Sequence, residues 1–376
     1  MFDIFRFSYY VIFVGLHASL MVGIFLEWLR ERNALLKTGS DLPVVSVIIP
    51  VHNESGRIER LLKSLEAQSY PRAEFIFIDD RSRDDSAQKI NAFLKGKEDS
   101  KVISLNENPG PNYKQYALSR GIEQSRGEFL LFTDADCEIP VSWIGAMVQR
   151  MSDETVGAAI GPVLKRLGGK GFFHLYECYD HAVRYVYLAG SAGLGAAGGG
   201  FGNNMILRRA SLDAIGGYDK VPPSPTEDAA LVSRIRSCSK YKIRAALGAD
   251  VHVMTQGEDS WKNLINQTLR WNNGGLFSPD TATRINYNFL MITITLGVLG
   301  FPLLPFIPSI WPLPLGPFTV MIFNTIASLV FFGVSLPRRR FCFGYVLTLL
   351  FMPVYMALMT IMGFAGIKPK WKGEKV

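Results

Sequence analysis

Two patterns of apolar and polar residues divide the chain. Residues 9–26 are apolar apart from His17, and residues 285–337 and 341–367 contain no charged residue and no histidine. A helix needs ~20 apolar residues to cross a bilayer. The pattern therefore predicts one span near the N-terminus, two within 285–337 and one within 341–366. Arg30, Arg32 and Lys37 follow the first run, only Arg6 precedes it, and no small-residue cleavage site follows. This reads as an anchor with a cytosolic C-terminal flank rather than a signal peptide. His17 reads as a polar residue tolerated in a helix interface. Three full spans after the domain would leave the lysine-rich tail outside, against the positive-inside tendency; Pro353 could instead break the last segment into a re-entrant or interfacial hairpin, which would keep the tail cytosolic.

Residues 30–284 alternate strand-like and helix-like runs. Residues 44–51 are β-branched and apolar, as in a buried strand, and Ile58, Leu61, Leu62 and Leu65 then share one helix face. Further strands are expected at 75–78, 102–105 and 129–132, with helices near 113–124 and after Pro140. Such alternation predicts an α/β fold with a mostly parallel sheet covered on both faces. Ligands bind such sheets at the carboxyl ends of the strands. The polar clusters His52-Asn53-Glu54, Asp79-Asp80 and Asp134-Ala135-Asp136 lie at those ends.

Beyond 156–165 the pattern changes. Residues 172–188 are aromatic-rich and read as a helix lying on the membrane surface. Residues 190–202 are rich in glycine and read as a linker or a ligand loop. Asn203 and Asn204 beside it favour the ligand loop and are acceptor-side candidates.

Composition sharpens this picture. Charged residues make up only 19 % of the 376 residues and the net charge is +7. Much of the excess, Arg338, Arg339, Arg340, Lys368, Lys370, Lys372 and Lys375, lies beside the apolar segments. Attraction to anionic headgroups accounts for it more simply than nucleic acid does, and no basic stripe is interleaved with aromatics. The four cysteines show no metal-ligand spacing, consistent with a reducing cytosol. No apolar span carries a buried charge of the kind that marks an ion path, which argues against a transporter.

Asp134 and Asp136 follow a strand, and alternate residues of an extended segment point the same way. Two carboxylates can then share one divalent cation with a diphosphate. Residues 45–54 (VSVIIPVHNE), Phe77-Ile78-Asp79-Asp80-Arg81-Ser82 and Thr133-Asp134-Ala135-Asp136 resemble the opening of family 2 glycosyltransferases with a GT-A, Rossmann-like fold. Thr226-Glu227-Asp228 and Gln267-Thr268-Leu269-Arg270-Trp271 resemble that family's two later motifs, shared with membrane synthases of cellulose, chitin and hyaluronan. The resemblance runs from Leu42 to Trp271.

It implies roles for individual residues. Asn53, Glu54, Asp79, Asp80, Lys114, Asp134 and Gln267 would serve the nucleotide-sugar donor, with Asp80 on the base and Asp79 supporting its loop. Asp136, with Asp134, would hold Mg2+ or Mn2+. Asp228 would be the catalytic base, Arg270 would clamp the diphosphate, and Trp271 would stack near the acceptor. Blander readings stand beside these. Asp79 and Asp80 could cap the next helix, and Asp228 could serve a helix N-terminus. Lys114 could be an ordinary surface lysine, and Trp271 a core or membrane-interface residue.

The expectation is a membrane protein with an anchor (1–29), a cytosolic GT-A domain (30–284), two spans (285–337), and a third span or re-entrant segment with a basic tail (338–376). It would be an inverting enzyme moving a hexose-type sugar, from a UDP-sugar by expectation, to the hydroxyl or phosphate of a membrane lipid. Four spans leave little room for a polymer channel, which disfavours a processive polysaccharide synthase. A catalytically dead scaffold that still binds nucleotide sugar is the non-enzyme alternative.

Overall fold

The computed structural model describes residues 2–33, 42–110, 112–337, 341–371 and 374–375; side chains are described except at 2–6, 341–343, 345, 370–371 and 374–375. Arg338, Arg339, Arg340, Lys37 and Lys372 lie outside the described residues.

The chain opens with helix α1 (Phe2–Asn33). Then come β1 (Val45–Val51), α2 (Glu59–Glu66), β2 (Ala73–Asp80), α3 (Ser86–Leu94), β3 (Lys101–Leu105), α4 (Tyr113–Glu123), β4 (Phe129–Phe132) and α5 (Trp143–Gln149). The second half continues with β5 (Val156–Ile160), β6 (Val163–Lys165), α6 (Phe172–Gly193), β7 (Met205–Arg208), α7 (Arg209–Asp213), α8 (Glu227–Cys238), β8 (Lys242–Ala245), β9 (Val253–Thr255) and α9 (Trp261–Leu276). Three long helices follow: α10 (Thr281–Gly300), α11 (Pro312–Phe332) and α12 (Phe341–Phe364).

Seven strands form one sheet in the order β3-β2-β1-β4-β7-β5-β8. β7 runs antiparallel to β4 and β5, and every other pairing is parallel. Because β7 runs the other way, its N-terminal loop arrives at the same sheet edge as the C-terminal end of β4. β6 and β9 form a separate parallel pair that leads out to the same side.

Alternation along β1 sorts the core into two layers. Val45, Val47, Ile49 and Val51 pack with α2, α3 and α5 through Leu61, Leu65, Ile90 and Trp143. Ile48 faces the other layer, with Leu118 of α4, Leu231 of α8, and Tyr185 and Val186 of α6.

Helix α6 does not lie on a surface, as its aromatic content led one to expect. Tyr179, Ala182, Tyr185 and Ala189 pack on the sheet. Tyr176 and Val183 pack with Phe13, Leu269, Val320 and Met356 from α1, α9, α11 and α12. It is a buried joint between sheet and helices. Part of the glycine-rich run belongs to this joint. A Cβ at Gly23 would sit 2.0 Å from the Gly190 carbonyl oxygen, and one at Gly193 would sit 1.9 Å from that of Gly23. Only glycine allows α1 and α6 to approach so closely.

Four helical segments are long and apolar enough to cross a membrane: Phe7–Asn33, Thr281–Leu303, Pro308–Phe332 and Val346–Phe364. Ile12, Ile292, Val330 and Val354 leave apolar surface on their outer faces, and His17 is buried with Nδ1 3.1 Å from the Phe13 carbonyl oxygen. Pro353 does not produce a hairpin, because α12 passes through it as one helix. Neighbouring helices can satisfy the backbone groups a proline frees.

The C-terminal turn of α1 is bonded to the sheet. Glu27 accepts from Ala245 N (3.3 Å) and pairs with Arg30 and Arg244. Glu31 accepts from Leu247 N and Gly248 N, each at 3.2 Å, and pairs with Arg150.

Candidate active site

The loops after β1 and β2 are tied together by their own polar side chains. Asn53 and Arg81 both adopt left-handed backbone conformations (φ 54° and 58°), uncommon for residues with a Cβ. Asn53 N donates to Ser82 Oγ (3.0 Å), Arg83 N donates to Asn53 Oδ1 (2.8 Å), and Glu54 N donates to Ser86 Oγ (2.9 Å). Ser82 N donates to Asp79 Oδ1 at 3.2 Å, which holds the turn. Asp80 is buried, pairs with Arg81 (2.8 Å) and accepts from Asn108 Nδ2 (2.9 Å).

Beside these loops lies a cavity of about 390 Å³, lined by Lys114, Asp134, Asp136, Asn203, Asp228, Gln267, Arg270 and Trp271 among others. One open space thus gathers side chains from the loop after β4, α4, α8, α9 and the loop before β7. Asn53, Glu54, Asp79 and Asp80 do not line it; Glu54 meets it through Arg57, whose Nε lies 2.8 Å from its carboxylate.

Lys114 is no ordinary surface lysine. Its Nζ lies 2.8 Å from Asp134 and 3.5 Å from Glu227. Burial pulls the ammonium pKa down, but the charges of Asp134 and Glu227 outweigh it and leave it raised. Asp136 accepts from Thr255 Oγ1 at 3.0 Å. Burial, and then the neighbouring Asp134 charge, push its carboxyl pKa up.

Asp228 opens α8. Its Oδ2 accepts from Gly202 N (2.8 Å) and its Oδ1 from Ala229 N (2.7 Å). A Cβ at Gly202 would lie 3.1 Å from that carboxylate, so the glycine permits the close approach. Burial and the adjacent Glu227 raise the Asp228 pKa to about 6, while Lys114 opposes the shift. Arg270 Nη1 donates to the Pro225 carbonyl oxygen (2.7 Å), linking α9 to the start of α8.

Gln267 is engaged in a network. Its Nε2 donates to Glu258 (2.6 Å), its Oε1 accepts from Lys165 (3.1 Å), and Lys165 pairs with Glu177 (3.2 Å). Glu258 N also donates to Glu177, at 2.7 Å. Gln267 therefore holds residues 256–260 against α6. Trp271 meets His181 edge-on, and Arg184 lies 5.5 Å over its ring.

The two neighbouring asparagines part ways. Asn203 lines the cavity and reaches Cys137 Sγ (3.5 Å). Asn204, an acceptor-side candidate by its sequence position, is fully buried and does not line it. Its Nδ2 donates to Pro162 and Val251 carbonyls, each at 2.8 Å, and its Oδ1 accepts from Trp143 Nε1 at 2.9 Å. It is a structural brace, because the turn closed by Asn204 N on the Phe201 carbonyl oxygen (2.9 Å) sends its side chain into the core. Sequence reasoning missed Arg57, Lys165, His181, Thr255 and Glu258, all of which line the cavity. A lysine ending an otherwise apolar strand was the one available signal.

Residues 46–216 match the model of Glycosyl transferase family 2. The beta-monoglucosyldiacylglycerol synthase of Nostoc is 24 % identical over 305 residues, covering 78 % of this chain and 63 % of that protein. The undecaprenyl-phosphate 4-deoxy-4-formamido-L-arabinose transferase of Pseudomonas paraeruginosa is 38 % identical over 113 residues, 29 % of this chain and 32 % of that protein. The chain thus spans less than two thirds of either relative. Among solved structures, a mannosyltransferase from Pyrobaculum calidifontis in complex with GDP-Man and Mn2+ superposes with a TM-score of 0.58 at 16 % identity, covering 98 % of this chain and 100 % of that one. At that identity the likeness speaks to the fold.

Proposed function

We propose, for a chain that carries a glycosyl transferase family 2 domain on a GT-A fold, that it moves a sugar from a nucleotide-sugar donor to a membrane lipid, with inversion. The observation that carries this reading is the single cavity shared by Asp134, Asp136, Lys114, Asp228, Arg270 and Trp271. It sits beside helices apolar enough to cross a membrane. Both relatives described above carry a lipid acceptor in their names.

The chemistry follows from the side chains. The acceptor oxygen forms a bond to the anomeric carbon, the bond from that carbon to the diphosphate oxygen breaks, and the acceptor proton passes to Asp228. A buried carboxylate whose pKa is raised towards neutrality is a competent general base and still mostly ionised at pH 7. One base opposite the leaving group gives single displacement and inversion. Arg270 and Lys114 stand ready for the diphosphate charge. Asn53, Glu54 and Asp80 would take the nucleoside, and Trp271 and Asn203 would face the acceptor.

The residues fit a divalent cation, Mg2+ or Mn2+. Asp136 is a buried carboxylate whose ionised form is disfavoured beside Asp134, a cost a cation removes. Among the described residues no third acid, histidine or cysteine completes a protein-only site. That suits an ion held by one or two carboxylates plus phosphate oxygens. When bound, the ion would offset the charge developing on the leaving diphosphate. The domain is assigned to the cytosolic face, where Arg30 and Arg32 close α1.

The test uses the full chain in nanodiscs made with native lipid extract, radiolabelled nucleotide sugars, and Mg2+ or Mn2+. A small, organic-soluble product lost in Asp136→Asn and Asp228→Asn is expected. A large, water-soluble product would mark a polysaccharide synthase. Donor binding without any product would mark a scaffold and sink the catalytic reading.

A further inference from the structure

His181 lies on α6 in the cavity wall and is held from three sides. Phe201 stacks on its ring at 5.4 Å, Trp271 meets it edge-on at 5.3 Å, and Nδ1 lies 3.2 Å from the Val163 carbonyl oxygen. A carbonyl oxygen only accepts, so Nδ1 carries the proton. Burial, and then the charges of Lys165 and Arg184, keep the pKa of the ring well below its ordinary value, so it stays neutral. Nε2 therefore presents a lone pair and can only accept. His181 is 4 % exposed, and Nε2 finds no hydrogen-bond partner among the described residues. Buried polar atoms are seldom left unmatched. One in the wall of a substrate cavity calls for a donor on the substrate.

We propose that His181 Nε2 accepts a hydrogen bond from a hydroxyl of the lipid acceptor, and that the acceptor head carries at least two hydroxyls. This rests on the glycosyltransferase reading. The second hydroxyl follows from counting protons. The attacking hydroxyl has one, and it must reach Asp228. The proton that meets Nε2 belongs to another group. A phosphate head suits this wall poorly. Its oxygens are chiefly acceptors at neutral pH and would face the Nε2 lone pair. The cations near His181 are already matched, Lys165 by Glu177 and Arg184 by Asp180 at 2.6 Å. Glu258 and Asp259 add negative charge to the same cavity, whose further cations Arg57, Lys114 and Arg270 lie with the groups given to the donor diphosphate. His181 is assigned to the acceptor rather than the donor because it packs on Trp271 and belongs to α6, which itself packs on α1, α11 and α12. The carboxylates for the diphosphate come from the β4 end.

The experiment supplies the full chain in nanodiscs with labelled nucleotide sugars and three acceptors: dioleoylglycerol with one hydroxyl, a polyprenyl phosphate, and glucosyl-dioleoylglycerol with several. Transfer is expected to be fastest to the glucosyl lipid. Two variants separate recognition from packing. His181→Gln keeps an acceptor near the Nε2 position, and His181→Asn keeps only a donor near Nδ1 for Val163. Asn is expected to raise the acceptor KM roughly tenfold, the worth of one ordinary hydrogen bond. Gln should restore much of that loss, with donor KM unchanged in both. The reverse order, a shift in donor KM, or a preference for the phosphate or the single hydroxyl would overturn the assignment of His181 while leaving the glycosyltransferase reading intact. Failure of wild type to transfer to any of the three, or to native lipid extract, would remove that reading and this inference with it.

Discussion

Lys114 Nζ lies within hydrogen-bond reach of both carboxylate oxygens of Asp134, at 2.8 and 3.1 Å. The pair joins the first turn of α4 to the loop after β4, and Glu227 extends it to α8. Lys114→Met should cut kcat/KM roughly a hundredfold, the scale of losing one preorganised cation. Combined with Asp134→Asn it should lose less than the sum of the two, because each single change strands the other charge. Full additivity in steady-state kinetics would show that the pair does not act as a unit.

Asp228 predicts a pH profile. Its carboxyl is raised from the ordinary carboxylate range to about 6 by burial and Glu227. The base must be ionised to accept a proton, so kcat/KM should fall as pH drops below about 6, towards tenfold per unit. Asp228→Asn should lose transfer by roughly a thousandfold and bind donor nearly as well. A flat profile from pH 5 to 8 would point to another base.

Chelation should abolish transfer, and Mg2+ or Mn2+ should restore it. Asp136→Asn should lose transfer at the metal concentration that saturates the wild type and need at least about tenfold more for any recovery, since it removes a hard oxygen ligand. Metal titration of initial rates decides the matter. Full activity in excess EDTA would remove the cation from the mechanism.

Gly23→Leu should loosen α1 from α6, because its first side-chain carbon meets the Gly190 carbonyl oxygen. The melting temperature in detergent should fall by several degrees. Gly15→Leu is the control, as a Cβ there meets nothing within 4 Å. Equal melting of the two variants would show that the crossing tolerates a larger gap.

How much of this was legible beforehand depends on the range of the interactions. Residues 44–51 and 129–132 announce buried strands because nearly every position is apolar, and the acids beyond them fall at the strand ends. The antiparallel insertion of β7 leaves no local mark, since a central strand is apolar in either direction. The aromatic stretch of α6 looks interfacial in isolation; only tertiary packing reveals that it is covered by the sheet on one side and by helices on the other. Asn203 and Asn204 are indistinguishable by type, and the turn over 201–204 decides which one meets the cavity. Arg57 and His181 belong to no motif. They enter the site because folding brings the turn before α2, and α6, to its rim.

Glu27 and Glu31 receive backbone amides from β8 and the residues after it, so the last turn of α1 is fastened to the sheet rather than leashed to it. These bonds resist any dip or swivel of the domain about the end of α1. On the proposed reading, its cavity would work at a fixed height and a lipid head would have to rise to meet it. Lipids would then be sorted by how far their reactive group stands above the acyl chains as well as by its chemistry, with α1 serving as the ruler.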